Sequence, residues 1–561
     1  MMRWSDSDLL FLTRSYLFYH NTNVVINENI SLGSWRKAAA LVAVEFEIRE
    51  RDLLARIGRL KTKSGTVETP AFLPVINPSR LAVTPREMFT DFGCRILITN
   101  AYIIKKNFGE AFEKGVHSFL DFPGVIMTDS GAYQILAYGR VDATPDEIIK
   151  CQEKLNTDIA TILDLPTGWR VSKEHARFTV DETVKRAKEL FTLRSRAEIG
   201  WVGPVQGGRY LDLVAESAKE MAKLPFDIYA LGSPTPVMEQ YLFSLLVDMI
   251  LTAKINLPIN SPFHLFGAGH PFMFALAVAL GCDLFDSAAY SLFANEGRYL
   301  TDHGTVRLER LEYFPCTCPV CVKREPKELA EMPQEERERE LTKHNLYVCF
   351  SEMKQIKQAI VEGRLWEHLE VRAHGHPSLL QALKNLKRYS DYIERHSPAT
   401  KKSGLFFFSS VGLARPEVVR YGKRLLERYT PREGAELLLL IPKLESKRSR
   451  RNKCYRKILK TACERLNVNL DTVQVCIYAP PFGVIPEELK EVYPVGQCEC
   501  AYPPDDETIK YIAQRVVIFA QAMGYGRSVM LATPGTWQEK TAKICKRICS
   551  KKGIKFEFLL I

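Results

Sequence analysis

The chain has 561 residues, 46% of them hydrophobic and 25% charged, with 77 Lys+Arg against 66 Asp+Glu and a formal net charge of +11. This length exceeds one ordinary domain, the unbiased composition is that of a soluble globular protein, and no apolar run is long enough to span a bilayer. Residues 1–42 lack the basic start, apolar run and small-residue cleavage site of an export signal; 14 cysteines without such a signal argue against a disulfide framework, and a cytoplasmic location is expected.

Residues 1–43 carry no sustained period and read as an extension. From Phe46 onward, short apolar runs alternate with helix-like periodicity. Eight runs, at 71–75, 96–99, 124–128, 159–163, 201–205, 227–231, 263–266 and 283–285, predict an α/β fold of the (β/α)₈ TIM-barrel type over residues 44–396. Their continuous apolarity is what strands covered on both faces require. The ends of four of the runs carry polar chemistry: Asp129-Ser130-Gly131, Asp164, Gln206-Gly207-Gly208 and Asp286. In such a barrel these ends converge on one face. A charge-dense helix is expected at 326–340, with helical periodicity to His396. Residues 397–404 read as a linker. Strands at 405–408, 436–441, 473–478 and 528–531 predict a smaller C-terminal α/β domain over 405–561. The basic run 447–453 reads as solvated surface, with RNA contact as the alternative.

Cys316-Thr317-Cys318-Pro319-Val320-Cys321, followed by His344, has metal-ligand spacing. Three thiolates and one imidazole make a closed tetrahedral set for one structural Zn²⁺, here a zinc-binding insertion holding a peripheral segment to the barrel. Asp129 and Asp286 form a carboxylate pair that can divide labour, one attacking a sugar carbon and the other moving a proton to and from a leaving base. Double displacement of this kind retains configuration at the anomeric carbon. From position alone, helix capping explains each Asp equally well. Asp164, Gln206 and Gly232 suit the edge of a purine-like heterocycle, and Tyr133 could stack on its face; a turn and a core aromatic are the plainer readings.

Seven stretches in order, "TVETPAFLPV" (66–75), "MTDSGAYQI" (127–135), "PVQGG" (204–208), "YALGS" (229–233), "HLFGAGHP" (264–271), "FDSAAY" (285–290) and "CTCPVC" (316–321), resemble the tRNA-guanine transglycosylase family, in wording closer to its archaeal branch. "PFGVIPEELKEVYPVGQCE" (481–499) resembles a segment that follows the barrel in archaeal members. The resemblance implies that Asp286 is the nucleophile at ribose C1′ and Asp129 the general acid/base. It implies that Ser130, Asp164, Gln206 and Gly232 hold the base, that Tyr133 stacks on it, and that Cys316, Cys318, Cys321 and His344 bind zinc. The implied reaction replaces guanine 15 of the tRNA D-loop by 7-cyano-7-deazaguanine (preQ0), the first step of archaeosine formation. The expected partners are tRNA, the preQ0 base, a second copy of the chain and, because no PUA-type RNA-binding module is recognised, a separate chain of that kind. Two rivals are weighed against this reading. An archaeosine-synthase-like paralogue would amidate preQ0 already in tRNA, but its Pro-Cys…Lys-Pro-Tyr motif is not found. A non-catalytic tRNA-binding subunit would be expected to lose an acid or a zinc ligand, and none is lost.

Overall fold

In the computed structural model an antiparallel meander of β1 (Glu45–Asp52), β2 (Ala55–Lys61) and β3 (Thr66–Thr69) leads into a closed barrel. The structure describes residues 43–132, 134, 142–443 and 448–561. The barrel strands are β4 (Ala71–Ile76), β5 (Ile96–Asn100), β6 (Val125–Asp129), β7 (Ile159–Thr161), β8 (Gly200–Val205), β9 (Ile228–Leu231), β10 (Phe263–Leu265) and β11 (Leu284–Ser287). They pair in parallel in chain order, and β11 closes on β4. All eight lie where the apolar runs predict them, and the TIM-type barrel is as expected.

Two apolar layers follow from the strand period of two. Leu73, Ile98, Met127, Ile159, Val202, Ile228 and Leu284 form an interior cluster that Leu60 and Val67 of the meander complete. Val44 packs on Gly200 at the start of β8, so the meander covers the end of the barrel where the strands begin. The opposite end, where they finish, is left for chemistry. Outside, the helices pack their apolar faces on the sheet; Phe72, Phe274 and Phe285, for example, meet through ring contacts. Local sequence sets helix starts. Thr84-Pro85 and Thr144-Pro145 each open a helix with a reciprocal capping box, to Glu87 and Glu147 respectively.

After the barrel come β12 (Arg298–Leu300), β13 (Thr305–Arg307) and the long helix Gln334–Glu362. The charge-dense stretch is two helices, Pro326–Ala330 and the start of Gln334–Glu362, interrupted before Pro333. The C-terminal domain is α/β, as expected. Its five-stranded sheet runs β17 (Gly483–Pro486), β16 (Val473–Ala479), β15 (Leu437–Pro442), β19 (Arg527–Ala532), β20 (Phe556–Leu560), with β17 antiparallel. A separate pair joins β14 (Leu405–Phe407) and β18 (Cys498–Cys500). The basic run begins at Lys447, outside the described residues, and continues into the helix Arg448–Leu466. Among the described residues no helix is long and apolar enough to cross a membrane.

The segment 397–404 carries a buried charge. Lys401 Nζ lies 3.0 Å from Asp52 Oδ1 and 3.2 Å from Glu417 Oε1, and Arg415 bridges Glu417 to Glu367. These five side chains tie the meander, the helix Leu365–Ala373 and the helix Pro416–Arg428 together, all 9% exposed or less. Lys401→Met leaves Asp52 and Glu417 without their shared cation, and is expected to cost ~3–5 kcal/mol of stability. Denaturant unfolding of the variant checks this; a midpoint equal to wild type would mean that water reaches the cluster.

Candidate active site and metal centre

The carboxylates Asp129 and Asp286 lie at the same barrel mouth, on β6 and β11, with β4 and β5 between them. Asp129 is the last residue of β6, in register with Asn100 at the end of β5. Asn100 Nδ2 donates to Asp129 Oδ2 at 2.8 Å and to Gln134 Oε1 at 3.0 Å, while Asn100 Oδ1 caps the next helix through Ile103 N–H. One amide thus aims the carboxylate. Burial, joined by the negative charges of Asp164 and Asp286, pushes the Asp129 carboxyl up to about 7. Asp286 lies in β11, its side chain 15% exposed, and its Oδ1 accepts the Gly267 N–H at 3.0 Å. The following helix, Ala289–Asn295, is capped from Ala288 without a side-chain bond, so capping does not account for Asp286.

The base-recognition candidates also assemble. Asp164 follows β7 and is buried; burial pushes its carboxyl up to about 6 against a hydrogen bond from Gln206. Gln206 follows β8 and donates from Nε2 to Asp164 Oδ2 at 2.5 Å. Its Oε1 accepts from Thr167 N–H and Ser233 Oγ, each at 3.0 Å. Two donors on Oε1 leave no ambiguity in the amide: Nε2 faces Asp164, and its second N–H has no partner among the described residues. Gly232 follows β9. Its N–H is taken by Val205 O, and any side chain there would collide with the Gln206 amide. The site therefore needs a glycine at 232 to let Gln206 lie flat. Ser130 is fully buried, and its hydroxyl has no partner among the described residues, the condition of a group awaiting a ligand. Tyr133 lies outside the described residues. Asn100, Thr167, Ser233 and His264, whose Nε2 lies 2.9 Å from Asp286 Oδ1, were not singled out from sequence. A polar residue ending a barrel strand was the available clue for Asn100.

A carboxyl held near 7 carries a stability cost. In the unfolded chain it titrates near 3.8. Between these values the folded state keeps a proton that the unfolded state has lost, so stability falls as pH rises and levels off above 7. Asp129→Asn removes the penalty. It is expected to stabilise the protein at pH 8 by up to ~4 kcal/mol, at about 1.36 kcal/mol per pH unit, and by clearly less at pH 5. Denaturant midpoints at the two pH values test this; an equal shift at both would mean that titration of Asp129 is not the cause.

Cys316, Cys318, Cys321 and His344 come together in the segment after the barrel, their ligand atoms all within 4.8 Å of one another. Cys318 Sγ and Cys321 Sγ are 3.5 Å apart, and His344 Nδ1 lies 3.5 and 3.4 Å from them. A tetrahedral zinc with ~2.3 Å sulfur and ~2.0 Å nitrogen bonds requires edges of about 3.5–3.8 Å, so these three donors fit, with Cys316 Sγ within 4.8 Å of each. His344 Nε2 pairs with Leu300 O at 2.9 Å, which leaves Nδ1 as the ligating atom, and the Tyr299 ring stacks on the imidazole at 3.6 Å. The arrangement could hold a metal ion.

A family model described as queuine tRNA-ribosyltransferase matches residues 52–378, and one described only as a domain of unknown function matches residues 418–560. The chain is similar to proteins named tRNA-guanine(15) transglycosylase. It is 45% identical to that of Methanocaldococcus jannaschii over 468 residues, 81% of this chain and 68% of the relative. It is 41% identical to that of Sulfolobus acidocaldarius over 487 residues (86% and 94%) and 43% identical to that of Aeropyrum pernix over 517 residues (89% and 97%). With the barrel matched across more than half of the chain and these relatives matched across most of it, the protein belongs to the queuine tRNA-ribosyltransferase family, as a member of its archaeal tRNA-guanine transglycosylase type.

Proposed function

We propose that this protein exchanges guanine 15 of tRNA for preQ0, through a covalent ribosyl intermediate on Asp286, as the entry step to archaeosine. The observation that carries the reading is the division between the two carboxylates at one barrel mouth. Asp286 Oδ1 is held by backbone, and Asp129 is tuned to about 7, where it can both give and take a proton at neutral pH.

In the first half, Asp286 Oδ2 bonds to ribose C1′ while the C1′–N9 bond breaks and its electron pair leaves with guanine. Asp129 supplies the proton that neutralises N9. In the second half, the incoming base passes its N9 proton to Asp129, N9 attacks C1′, and the Asp286 carboxylate departs. Two inversions retain the β-linkage, and no energy source is consumed. Asp164 and the free Gln206 N–H bind the donor and acceptor edges of the guanine-like ring, and the Ser130 hydroxyl gains its missing partner there. One zinc on Cys316, Cys318, Cys321 and His344 would supply folding free energy only, since four protein ligands leave no open position for substrate. The net charge of +11 suits a polyphosphate partner.

A base-exchange assay tests the reading: tRNA labelled in guanine, protein and preQ0, with label release followed and the modified nucleotide located by mass spectrometry. Release with preQ0 at position 15 is expected. Bound tRNA with no release, or exchange at another position, would overturn it.

A further inference from the structure

The fully buried imidazole of His264 stands below Asp286. It lies on β10, in register with Ala230 of β9 and Leu284 of β11, both members of the barrel's interior cluster. The ring therefore points into the barrel, among apolar groups, with the Phe266 ring edge-on at 4.7 Å. Burying a polar ring in such a place is unfavourable unless a hydrogen bond compensates. The polar atom it approaches is Asp286 Oδ1, 2.9 Å from Nε2. The contact is close but off-axis, and neither ring nitrogen completes an aligned hydrogen bond among the described residues. Catalytic contacts often have this form before substrate binds and tighten in the complex.

We infer that His264 is a positioning residue for the exchange: its Nε2–H, with the Gly267 N–H, holds Oδ1 of Asp286 and leaves Oδ2 as the oxygen presented to ribose C1′. This rests on the nucleophile role proposed for Asp286. The proton is assigned to Nε2 because the carboxylate lies on that side, whereas a proton on Nδ1 would be buried without an acceptor. Two donors on one oxygen also resist rotation of the carboxylate about its own axis, which would otherwise spread the attacking lone pairs over many directions. A leucine would fill the same interior volume, so packing alone gives no reason for an imidazole at 264.

The test compares wild type with His264→Leu, His264→Gln, His264→Asn and Asp286→Asn, all as full-length protein with tRNA and labelled guanine. The readouts are the single-turnover rate of covalent enzyme–RNA adduct on a denaturing gel, kcat, KM for tRNA, and the thermal midpoint. His264→Leu is expected to slow adduct formation and kcat by ~10–100-fold, with KM within about twofold and no fall in thermal midpoint. His264→Gln, whose amide reaches as far as Nε2, is expected to recover most of the rate. His264→Asn, which falls short of Oδ1, is expected to behave like Leu and replaces it if the Leu protein does not fold. Adduct lost in Asp286→Asn but formed at full rate in His264→Leu or His264→Asn would overturn this inference alone. So would Gln performing no better than Asn. Adduct persisting in Asp286→Asn would overturn the nucleophile assignment, and this inference with it.

Discussion

Asp286→Asn is expected to lower guanine exchange by at least ~10⁴-fold while leaving tRNA affinity within a few-fold of wild type. The substitution keeps the shape of the side chain. It can still accept the Gly267 N–H at Oδ1, so the fold around β11 has no reason to change. What it removes is the second carboxylate oxygen and the charge. Among the described residues, neither of the other two acids placed at the mouth is free to take over. Asp129 is tethered by Asn100 and accepts the backbone N–H groups of Ser130 and Gly131, and Asp164 is bound to Gln206. Affinity for a polyanion comes mainly from phosphate contacts spread over a large surface, so the loss of one charge at the barrel mouth leaves it almost untouched. Loss of label release at saturating tRNA, with unchanged gel-shift midpoints, is the expected pair of results. Turnover within tenfold of wild type would remove Asp286 from the nucleophile role.

What could be read before the structure, and what could not, follows from the range of the interactions. The eight barrel strands were legible because a strand covered on both sides must be apolar throughout, and eight such runs alternating with helical periodicity match the count of a parallel barrel. The acids were legible as residues ending those strands. The groups that aim them were not. Asn100 reaches Asp129 through strand register, and Ser233 orients Gln206 from the next strand end over; neither spacing has a sequence period. His264 was hidden inside a run counted as apolar strand. In the second domain, β17 is four residues long, follows the turn at Pro480-Pro481-Phe482 and runs against its neighbour, and β18 is three residues long, so neither presents a run of its own. The segment 397–404 looked like a tether because Ser, Pro, Gly and Lys are residues of exposed loops; the acids that bury Lys401 lie far along the chain at Asp52 and Glu417.

Removing the metal centre is expected to unfold the segment it joins, not to disable the acids. If the metal is the proposed zinc, Cys321→Ser should bind less than about a tenth of the zinc that wild type takes up and lose several kcal/mol of stability; in small zinc-dependent domains the metal contributes ~10–16 kcal/mol of folding free energy. The effect is large here because the apolar cluster around the ligands is small, and beyond it the stretch is held mainly by the Arg324–Glu340 ion pair and the buried Leu329. Cys321, Leu341, Tyr299 and Ala294 form only a small buried cluster, separate from the main core, and the sulfurs and imidazole occupy its centre. Without a cation, thiolates brought this close repel one another, and protonating them to relieve that repulsion gives up the bonds that made the cluster compact. Damage should stay local at first. The helix Gln334–Glu362 continues past His344 to Tyr347 and Phe350, whose rings pack on Phe92 and Phe72 of the barrel layer, so its second half has an anchor of its own. Limited proteolysis should therefore cut the variant first between Tyr313 and Pro333, and the fraction that stays folded should exchange guanine with a kcat near wild type. A metal-free variant that melts with wild type would end the structural assignment. A folded, metal-free variant with no turnover at all would give the centre a part in the chemistry that its four protein ligands do not otherwise suggest.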